Sequence, residues 1–462
     1  MRSTAIGCAG VEDVLTPRLD RFATEGTRFT NAISNTPLCC PARASLLTGL
    51  HVLQHRVVNN DILMDTSLPT LAHALTRAGY RCAYIGKWHL DDADRGICIP
   101  PGPRRRGFDD FWATSNCNHE YNGAFYYLND ETEPRWFDDY EPNAQTDLAI
   151  QYLRRGATGD RPFCLFLSWG PPHCPYDTAP QRFRALYDPA RINLMPTAVS
   201  AGYYSAAEER LLSGDEVDAA KRRAIAGYYA HCSALDHCFG RLLDTLREAR
   251  MDDNTIVVFT SDHGDMLFSQ NRGWKWKPWR ESVGIPLLIR WPGRVPAGRV
   301  TGGPIGIVDM PTTLLAMAGV DGLAGAQGAD LSRFVCGDEN GAADAQYINC
   351  PVVMGWSAMP AWRGVVTRTH TYARFHDGAV LLYDDVADPF QMRNLAGQPA
   401  HAEAQSRQEL RLRQYLDQTN DPFLSSREVS DVYTPNHRNM FVPCFHNDKI
   451  ASGYALRRGR SY

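Results

Sequence analysis

The feature that most constrains the fold is a repeated alternation of short apolar runs with amphipathic segments of helical periodicity. Mostly apolar runs occur at 80–86, 163–169, 255–260 and 286–290, and helix patterns separate them. Strands that are apolar on both faces are typical of a sheet covered on both sides by helices. The pattern therefore predicts an α/β fold: a doubly wound, mostly parallel sheet with helices on both faces.

The last third of the chain has a different pattern. A Gly- and Ala-rich stretch at 321–345 resembles a linker, and strand-like pieces follow around 352–354, 363–366 and 380–383. A helix is expected at 402–418, packed on a small antiparallel sheet. We therefore predict two domains: a catalytic domain over 1–330 and a smaller C-terminal α+β subdomain with a tail over 331–462.

Composition excludes several classes of protein. The formal charge of −4 and the pI near 6.4 leave no global basic field, so no nucleic-acid partner is expected. No apolar run is long enough to span a membrane. The 13 cysteines are scattered and odd in number, which favours a reducing compartment. Because Met1-Arg2-Ser3-Thr4 lacks a signal-peptide hydrophobic region, the expected location is the cytoplasm.

The stretch 37–49 carries the chemistry of the chain. It reads as a loop with two cysteines that turns into a short helix, with Pro41 as the first helical residue and Gly49 closing the helix. Cys39 then lies just before a helix N-terminus, where free N–H donors favour an anion. Arg43, one turn further on, can add a positive guanidinium there.

The pattern Cys39-x-Pro41-x-Arg43, continued through Leu-Leu-Thr-Gly at 46–49, resembles the signature of the type I sulfatases of the alkaline phosphatase superfamily. The resemblance implies that Cys39 is oxidised to formylglycine by a formylglycine-generating enzyme. The hydrated aldehyde would then attack a sulfate ester as a nucleophile.

Further blocks of this resemblance follow the predicted strands: Lys87 and His89, His173 within Pro-Pro-His-Cys-Pro, Asp262 with His263, and Lys275. The resemblance implies that Arg43 and Lys87 stabilise the ionised diol, and that Lys275 and His173 grip the sulfate. It implies His173 as the acid for the departing alcohol and His89 as the acceptor of the second hydroxyl proton.

Asp262 and His263 are implied as ligands of a divalent metal: Ca²⁺, or another such as Mg²⁺ or Mn²⁺. Two departures from the family pattern stand out. His263 occupies a position that is more often asparagine, and Trp279 and Arg280 stand where a tyrosine and an acid are usual.

A carbohydrate or aryl sulfate is the expected substrate class. Asn118, His119 and Tyr121, on an irregular insert at 100–143, are candidates for contacting its organic part. Phosphate and phosphonate monoester hydrolases of the same superfamily share these residues, so they remain an alternative. The oligomeric state is left open.

A second alternative comes from the beginning of the chain. In the family, a first core strand ends in an acidic pair that supplies two metal ligands, and this chain starts about where the residues after that pair would stand. The resemblance therefore implies that the strand is missing here. A catalytically silent, sulfatase-like protein is the corresponding alternative.

Overall fold

A computed structural model describes residues 1–156, 159–198, 203–205, 210–212, 214–353 and 359–434. Met354, at the end of one predicted strand, and the tail from residue 435 lie outside this part. Among the helices in the described ranges, none combines the length and the apolar character needed to cross a lipid bilayer.

The strands alternate with helices along the first 320 residues, as the apolar runs predict. In chain order the strands are β1 (Thr27–Phe29), β2 (Ala32–Ile33), β3 (Arg81–Lys87), β4 (Phe111–Ser115), β5 (Phe125–Leu128), β6 (Arg135–Trp136), β7 (Phe163–Ser168), β8 (Tyr203–Ser205), β9 (Arg210–Leu212), β10 (Val257–Thr260), β11 (Leu287–Arg290), β12 (Arg299–Thr301), β13 (Ile305–Gly306), β14 (Ala345–Cys350), β15 (Trp362–Thr367), β16 (His370–Phe375) and β17 (Val380–Asp384).

The α-helices are α1 (Pro17–Glu25), α2 (Cys39–Thr48), α3 (Val52–His55), α4 (Leu71–Arg77), α5 (Glu141–Gly156), α6 (Gln181–Arg184), α7 (Asp215–Glu248), α8 (Arg280–Val283), α9 (Met310–Met317), α10 (Ser332–Val335), α11 (Ala402–Gln418) and α12 (Ser426–Tyr433).

The core of the molecule contains two main sheets. One has the strand order β6-β5-β4-β3-β7, with β3 parallel to both of its neighbours. The other has the order β10-β11-β1-β12, in which β1 and β12 are parallel while β11 runs antiparallel between β10 and β1. The predicted α/β class with a mostly parallel central sheet is confirmed.

Helices cover both faces of the sheet that contains β3. Alternate residues of its strands point to opposite faces, so each face packs against its own helix. On β3, Tyr84 packs in a cluster with Leu71 and Leu75 of α4. Its neighbour Ile85 packs in a separate cluster with Ala149 of α5. The two sides of the sheet are therefore both buried, as its apolar runs require.

Three helix boundaries differ from the prediction. Helix α2 begins at Cys39 rather than Pro41, since the Leu38 carbonyl already accepts from the Ala42 amide at 2.9 Å. Sequence periodicity predicts a helix over 144–155 with Asn143 as its cap, but α5 begins at Glu141 and contains Asn143. Sequence periodicity predicts a long helix over about 215–250, and α7 runs unbroken over Asp215–Glu248.

The C-terminal part contains the predicted antiparallel sheet, with strand order β14-β15-β16-β17. Its first strand is β14, which lies upstream of the expected piece at 352–354. Helix α11 has the predicted bounds and packs Leu412 against Tyr347, Val365 and Tyr372. Ser425 caps α12, a further helix that follows α11.

Candidate functional site

Three nitrogen atoms converge on the thiol of Cys39, the first residue of α2. Its Sγ lies 3.1 Å from Lys275 Nζ, 3.2 Å from His263 Nε2 and 3.7 Å from Lys87 Nζ. Cys39 is 2% exposed, and both lysines are buried with it. A buried anion at residue 39 would therefore be held by two ammonium groups and an imidazole.

The sheet places these groups because several strands end at one edge. Lys87 is the last residue of β3, and Asp262 and His263 follow β10. The residue before Lys87 is Gly86, with φ of 99°, and a Cβ there would lie 2.2 Å from the Ser168 carbonyl oxygen. Only glycine allows β7 to approach β3 so closely at this edge.

Arg43 links the strand ends rather than the thiol. Its Nη1 donates to the Lys87 carbonyl and to Ser168 Oγ, each at 2.8 Å, and its Nη2 pairs with Asp262 Oδ2 at 3.2 Å. Arg43 was expected beside Cys39. Its guanidinium lies in the site, but its contacts hold β3, β7 and Asp262 together. Its charge still acts on the neighbouring acidic groups.

These charges change the ionisation of the site. Burial alone raises the pKa of the Cys39 thiol, but the positive charges of Lys275, Lys87 and His263 outweigh it and hold that pKa well below its usual value. Burial also raises the pKa of Asp262, while His263 and Arg43 bring it below its usual range. Residue 39 therefore occupies a position built for negative charge.

Cys39, Asp262 and His263 also present ligand atoms within 4.8 Å of one another. His263 Nδ1 donates to the Gly264 carbonyl at 2.7 Å, so Nε2 is the ring nitrogen that faces the cluster. This set offers one carboxylate, one imidazole and one sulfur. Calcium takes about six to eight oxygen ligands, so the residues present do not by themselves fit the expected Ca²⁺.

The Lys275 segment carries backbone strain. Trp274 and Trp276, on either side of Lys275, have φ of 65° and 71°. A left-handed conformation costs a bulky residue roughly 1–2 kcal/mol, and such strain clusters at functional sites. The strained turn directs the Lys275 ammonium to Cys39.

His89 is buried and contacts Asp61 rather than Cys39. Its Nε2 lies 3.0 Å from Asp61 Oδ1, and Arg95 pairs with the same carboxylate at 2.9 Å. Burial lowers the pKa of His89, but negative charge at Cys117 and the hydrogen bond to Asp61 raise it well above its usual value. The atom left for other chemistry is Nδ1, which is buried without a hydrogen-bond partner.

His173 and His119 stack face to face, with ring centroids 4.4 Å apart and planes 8° apart. His173 Nδ1 lies 2.9 Å from the Cys174 carbonyl, so this nitrogen carries the hydrogen and Nε2 is an acceptor. Burial, followed by the charges of Lys275 and His119, lowers the pKa of His173 well below its usual value. His173 is therefore neutral here and must gain a proton before it can act as an acid.

Two predicted substrate contacts are used elsewhere in the fold. The side-chain amide of Asn118 makes two hydrogen bonds within its own turn. Its Nδ2 donates to the Glu120 carbonyl at 3.0 Å, and its Oδ1 accepts from the Glu120 amide at 2.8 Å. Tyr121 is fully buried in a core cluster, and its hydroxyl donates to the Cys174 carbonyl. Of the three candidates on the insert, His119 is the one that the structure brings to the site through its stack on His173.

Several contributing residues were not anticipated from the sequence. Asp61 holds His89, Arg95 holds Asp61, and Ser168 holds Arg43. Asp61 ends a polar run, 59–61, which is typical of a turn and is the only signal in the sequence. In the structure Asp61 has a φ of 61°. Its pairing with His89 joins two loops, and no local spacing indicates it.

Comparisons with known proteins agree with this site. The family model described as Sulfatase matches residues 1–320, and the model described as N-sulphoglucosamine sulphohydrolase, C-terminal, matches residues 272–418. An ulvan-active sulfatase from Formosa agariphila is 35% identical over 445 residues, which cover 95% of this chain and 83% of that protein.

An N-acetylglucosamine-6-O-sulfatase from Bacteroides thetaiotaomicron is 26% identical, over 90% of this chain and 85% of its own length. Among solved structures, the yidJ sulfatase from Bacteroides fragilis superposes with a TM-score of 0.81 at 30% identity, covering 91% of this chain and 94% of that one. The chain therefore belongs to the sulfatase family.

Proposed function

We propose that the protein hydrolyses a sulfate ester of a carbohydrate or an aryl alcohol, with residue 39 as the nucleophile. The observation that carries the proposal is the convergence of Lys275, His263 and Lys87 on the buried Cys39. Similarity to a sulfatase named for N-acetylglucosamine supports a sugar as the organic part. We expect the active form to carry formylglycine at position 39, made by a formylglycine-generating enzyme; its hydrated aldehyde supplies a hydroxyl nucleophile.

The two lysines would serve the sulfate group and the nucleophile together. A sulfate ester carries its charge on oxygen atoms, and approach of an anionic nucleophile to sulfur adds further negative charge. Lys275 and Lys87, both buried and within 3.7 Å of the same Sγ, would neutralise that charge where water is excluded. Arg43 holds Asp262 and the end of β7 in place beside the two lysines.

Proton transfer is assigned to the two histidines. A bound sulfate would raise the pKa of His173 by its negative charge, so that Nε2 could carry the proton that the departing alcohol takes. His89 is the proposed acceptor of a proton from residue 39. Its Nδ1 is the unpartnered nitrogen. Because the pKa of His89 is raised, Nδ1 must release its own proton before it can accept one, and Asp61 on Nε2 would then stabilise the imidazolium that forms.

Asp262 and His263 are the proposed ligands of a divalent metal ion, which would neutralise charge on the sulfate oxygens. Because they do not complete a calcium site, the steps above rest on the side chains alone. We also keep the division into a catalytic domain over 1–330 and a C-terminal subdomain over 331–462 as a proposal.

The test is turnover of paired aryl substrates by protein coproduced with a formylglycine-generating enzyme. We expect aryl sulfate to be cleaved faster than aryl phosphonate, and Cys39→Ala to abolish turnover of both. Cys40→Ala is the matched control, since its thiol lies outside the lysine pair and accepts from the Asp61 amide.

Faster turnover of the phosphonate would favour the phosphonate hydrolase alternative. Fully converted protein that binds a sulfated sugar but turns over neither ester would favour the silent alternative. Either result would contradict the proposal.

A further inference from the structure

The C-terminal sheet contacts the turn that carries Lys275. Trp362, on strand β15, is fully buried, and its indole Nε1 donates to the Trp276 carbonyl oxygen at 2.8 Å. Trp276 directly follows Lys275 in the chain, whereas Trp362 lies 86 residues beyond Trp276. The hydrogen bond therefore ties a distant strand to the backbone beside a lysine of the site.

The turn itself is strained, and its neighbours hold it in place. Trp274 and Trp276 both have left-handed backbone conformations, with φ of 65° and 71°. Such conformations persist only where the surrounding structure over-determines them. The Trp274 carbonyl accepts from the Met266 amide at 2.7 Å, and the Trp276 amide donates to the Pro37 carbonyl at 3.2 Å. Backbone groups on both sides of the lysine are thus fixed by other parts of the fold.

Side chains around the turn pack in one apolar cluster. The cluster joins Trp276 of the turn and Leu38, the residue before the nucleophile, to five residues of the C-terminal sheet: Ile348, Cys350, Trp362, Ala373 and Phe375. Trp276 and Leu38 are both buried. A movement of the turn away from the site would open this cluster and expose apolar surface, which costs free energy. Packing and hydrogen bonding therefore hold the turn against the same sheet.

Strand β14 of this sheet also holds the loop that leads to Cys39. Asn349 Oδ1 accepts from Thr36 Oγ1 at 2.9 Å, and the Asn349 amide donates to the Asn35 carbonyl at 2.8 Å. The side-chain amide of Asn35 in turn donates to the Tyr347 carbonyl at 2.7 Å. One sheet thus contacts both of the segments whose side chains meet at the site.

We propose that the C-terminal sheet fixes the spacing between Lys275 and residue 39, and that Trp362 is the positioning residue that acts on Lys275. The Lys275 ammonium lies 3.1 Å from Cys39 Sγ. Groups that act on a reacting centre must be held to within about 0.5 Å by the residues behind them. The inference rests on the proposed role of Lys275 for its effect on sulfate, but not for its effect on the turn.

Two variants of the 462-residue chain test this inference. Trp362→Phe removes the indole N–H and keeps an aromatic ring in the cluster. Phe375→Leu loosens the same cluster from the neighbouring strand β16, and it serves as the second variant if Trp362→Phe does not fold. Tyr372→Phe is the matched control, because its hydroxyl bonds Glu409 and its ring packs in the cluster on the other face of the sheet.

Hydrogen exchange of the Trp276 amide measures the turn without reference to activity. In Trp362→Phe the Trp276 carbonyl loses its indole donor inside the cluster, and losing a buried hydrogen bond lowers the free energy of local opening. We expect exchange of this amide to become at least about tenfold faster in Trp362→Phe, and to stay within about twofold of wild type in Tyr372→Phe. Phe375→Leu should change it in the same direction as Trp362→Phe.

A double-mutant cycle shows whether Trp362 acts through Lys275. Inorganic sulfate is the probe, and calorimetry gives its dissociation constant for wild type, Trp362→Phe, Lys275→Met and the double variant. We expect Trp362→Phe to weaken binding about fivefold or more when Lys275 is present, and less than about twofold in the Lys275→Met background. A residue that only stabilises the fold would weaken binding by the same factor in both backgrounds.

Three outcomes are decisive. Equal weakening in the two backgrounds would overturn the role of Trp362 in positioning Lys275. Unchanged exchange of the Trp276 amide in both Trp362→Phe and Phe375→Leu would overturn the role of the C-terminal sheet. No sulfate binding by the wild-type protein would instead contradict the proposed function, and the exchange result would then decide the inference by itself.

Discussion

Glu141 offers a prediction whose size can be worked from the structure. It is the first residue of α5, it is 1% exposed, and its Oε2 is buried without a hydrogen-bond partner. Burial, only partly offset by Lys87, raises the pKa of its carboxyl group to about 8. The change to test is Glu141→Gln, which keeps the shape and removes the charge.

The sign follows from proton linkage. A carboxyl group whose pKa is higher in the folded state than in the unfolded state holds its proton better when folded. Its contribution to stability is therefore constant below the unfolded pKa and declines as pH rises from there through the folded pKa. The shift of roughly 3.5 units corresponds to about 5 kcal/mol at most.

For a chain of 462 residues, the unfolding entropy is about 1 kcal/mol per degree, so the full effect is about 5 °C in the unfolding midpoint. We expect Glu141→Gln to unfold a few degrees above wild type near pH 8 and within about 1 °C of it near pH 5. Differential scanning fluorimetry across this range measures both. Glu403→Gln, at an exposed position on α11, is the control. A change in midpoint on Glu141→Gln that is equal at the two pH values would refute the reasoning.

Two further predictions concern the C-terminal sheet and the site. Asp421→Asn should lower the free energy of unfolding by about 3–5 kcal/mol, because it leaves the fully buried Arg363 guanidinium without the carboxylate that now binds it at 2.5 and 3.1 Å. Chemical denaturation measures this loss of stability, and a loss below about 1 kcal/mol would contradict the prediction. In the unmodified thiol form, Lys275→Met should slow alkylation of Cys39 near neutral pH by at least about tenfold, since it removes an ammonium that holds the thiolate. Peptide mass spectrometry follows the alkylation rate. An equal decrease of this rate in Lys277→Met, whose ammonium bonds a carbonyl instead, would contradict the assignment.

The sequence predicts the site well where strands determine it. Lys87, Asp262 and His263 each follow an apolar run, and the ends of such strands meet at one edge, so their convergence on Cys39 could be anticipated. The loop lysine Lys275 was placed through the family resemblance. Periodicity likewise gave α11 its observed bounds.

Other features of the site could not be predicted from the sequence, some because they depend on distant partners and some because a local bond leaves no clear signal in the residues. Tyr121 is a core residue through partners far along the chain, whereas the amide of Asn118 bonds Glu120, only two residues away. Helix α2 starts at Cys39 because the Ala42 amide donates to the Leu38 carbonyl. Pro41 favours the first helical position, so the sequence predicts a start two residues too late.

The central claim is that residue 39, held by Lys275 and Lys87, cleaves sulfate esters once its thiol has been oxidised. The most direct measurement is the converted fraction of the Cys39 peptide, by mass spectrometry, against aryl sulfate turnover in preparations made with graded amounts of formylglycine-generating enzyme. The account predicts turnover that rises in proportion to conversion and vanishes without it. Full turnover by protein whose Cys39 is entirely unmodified would contradict it.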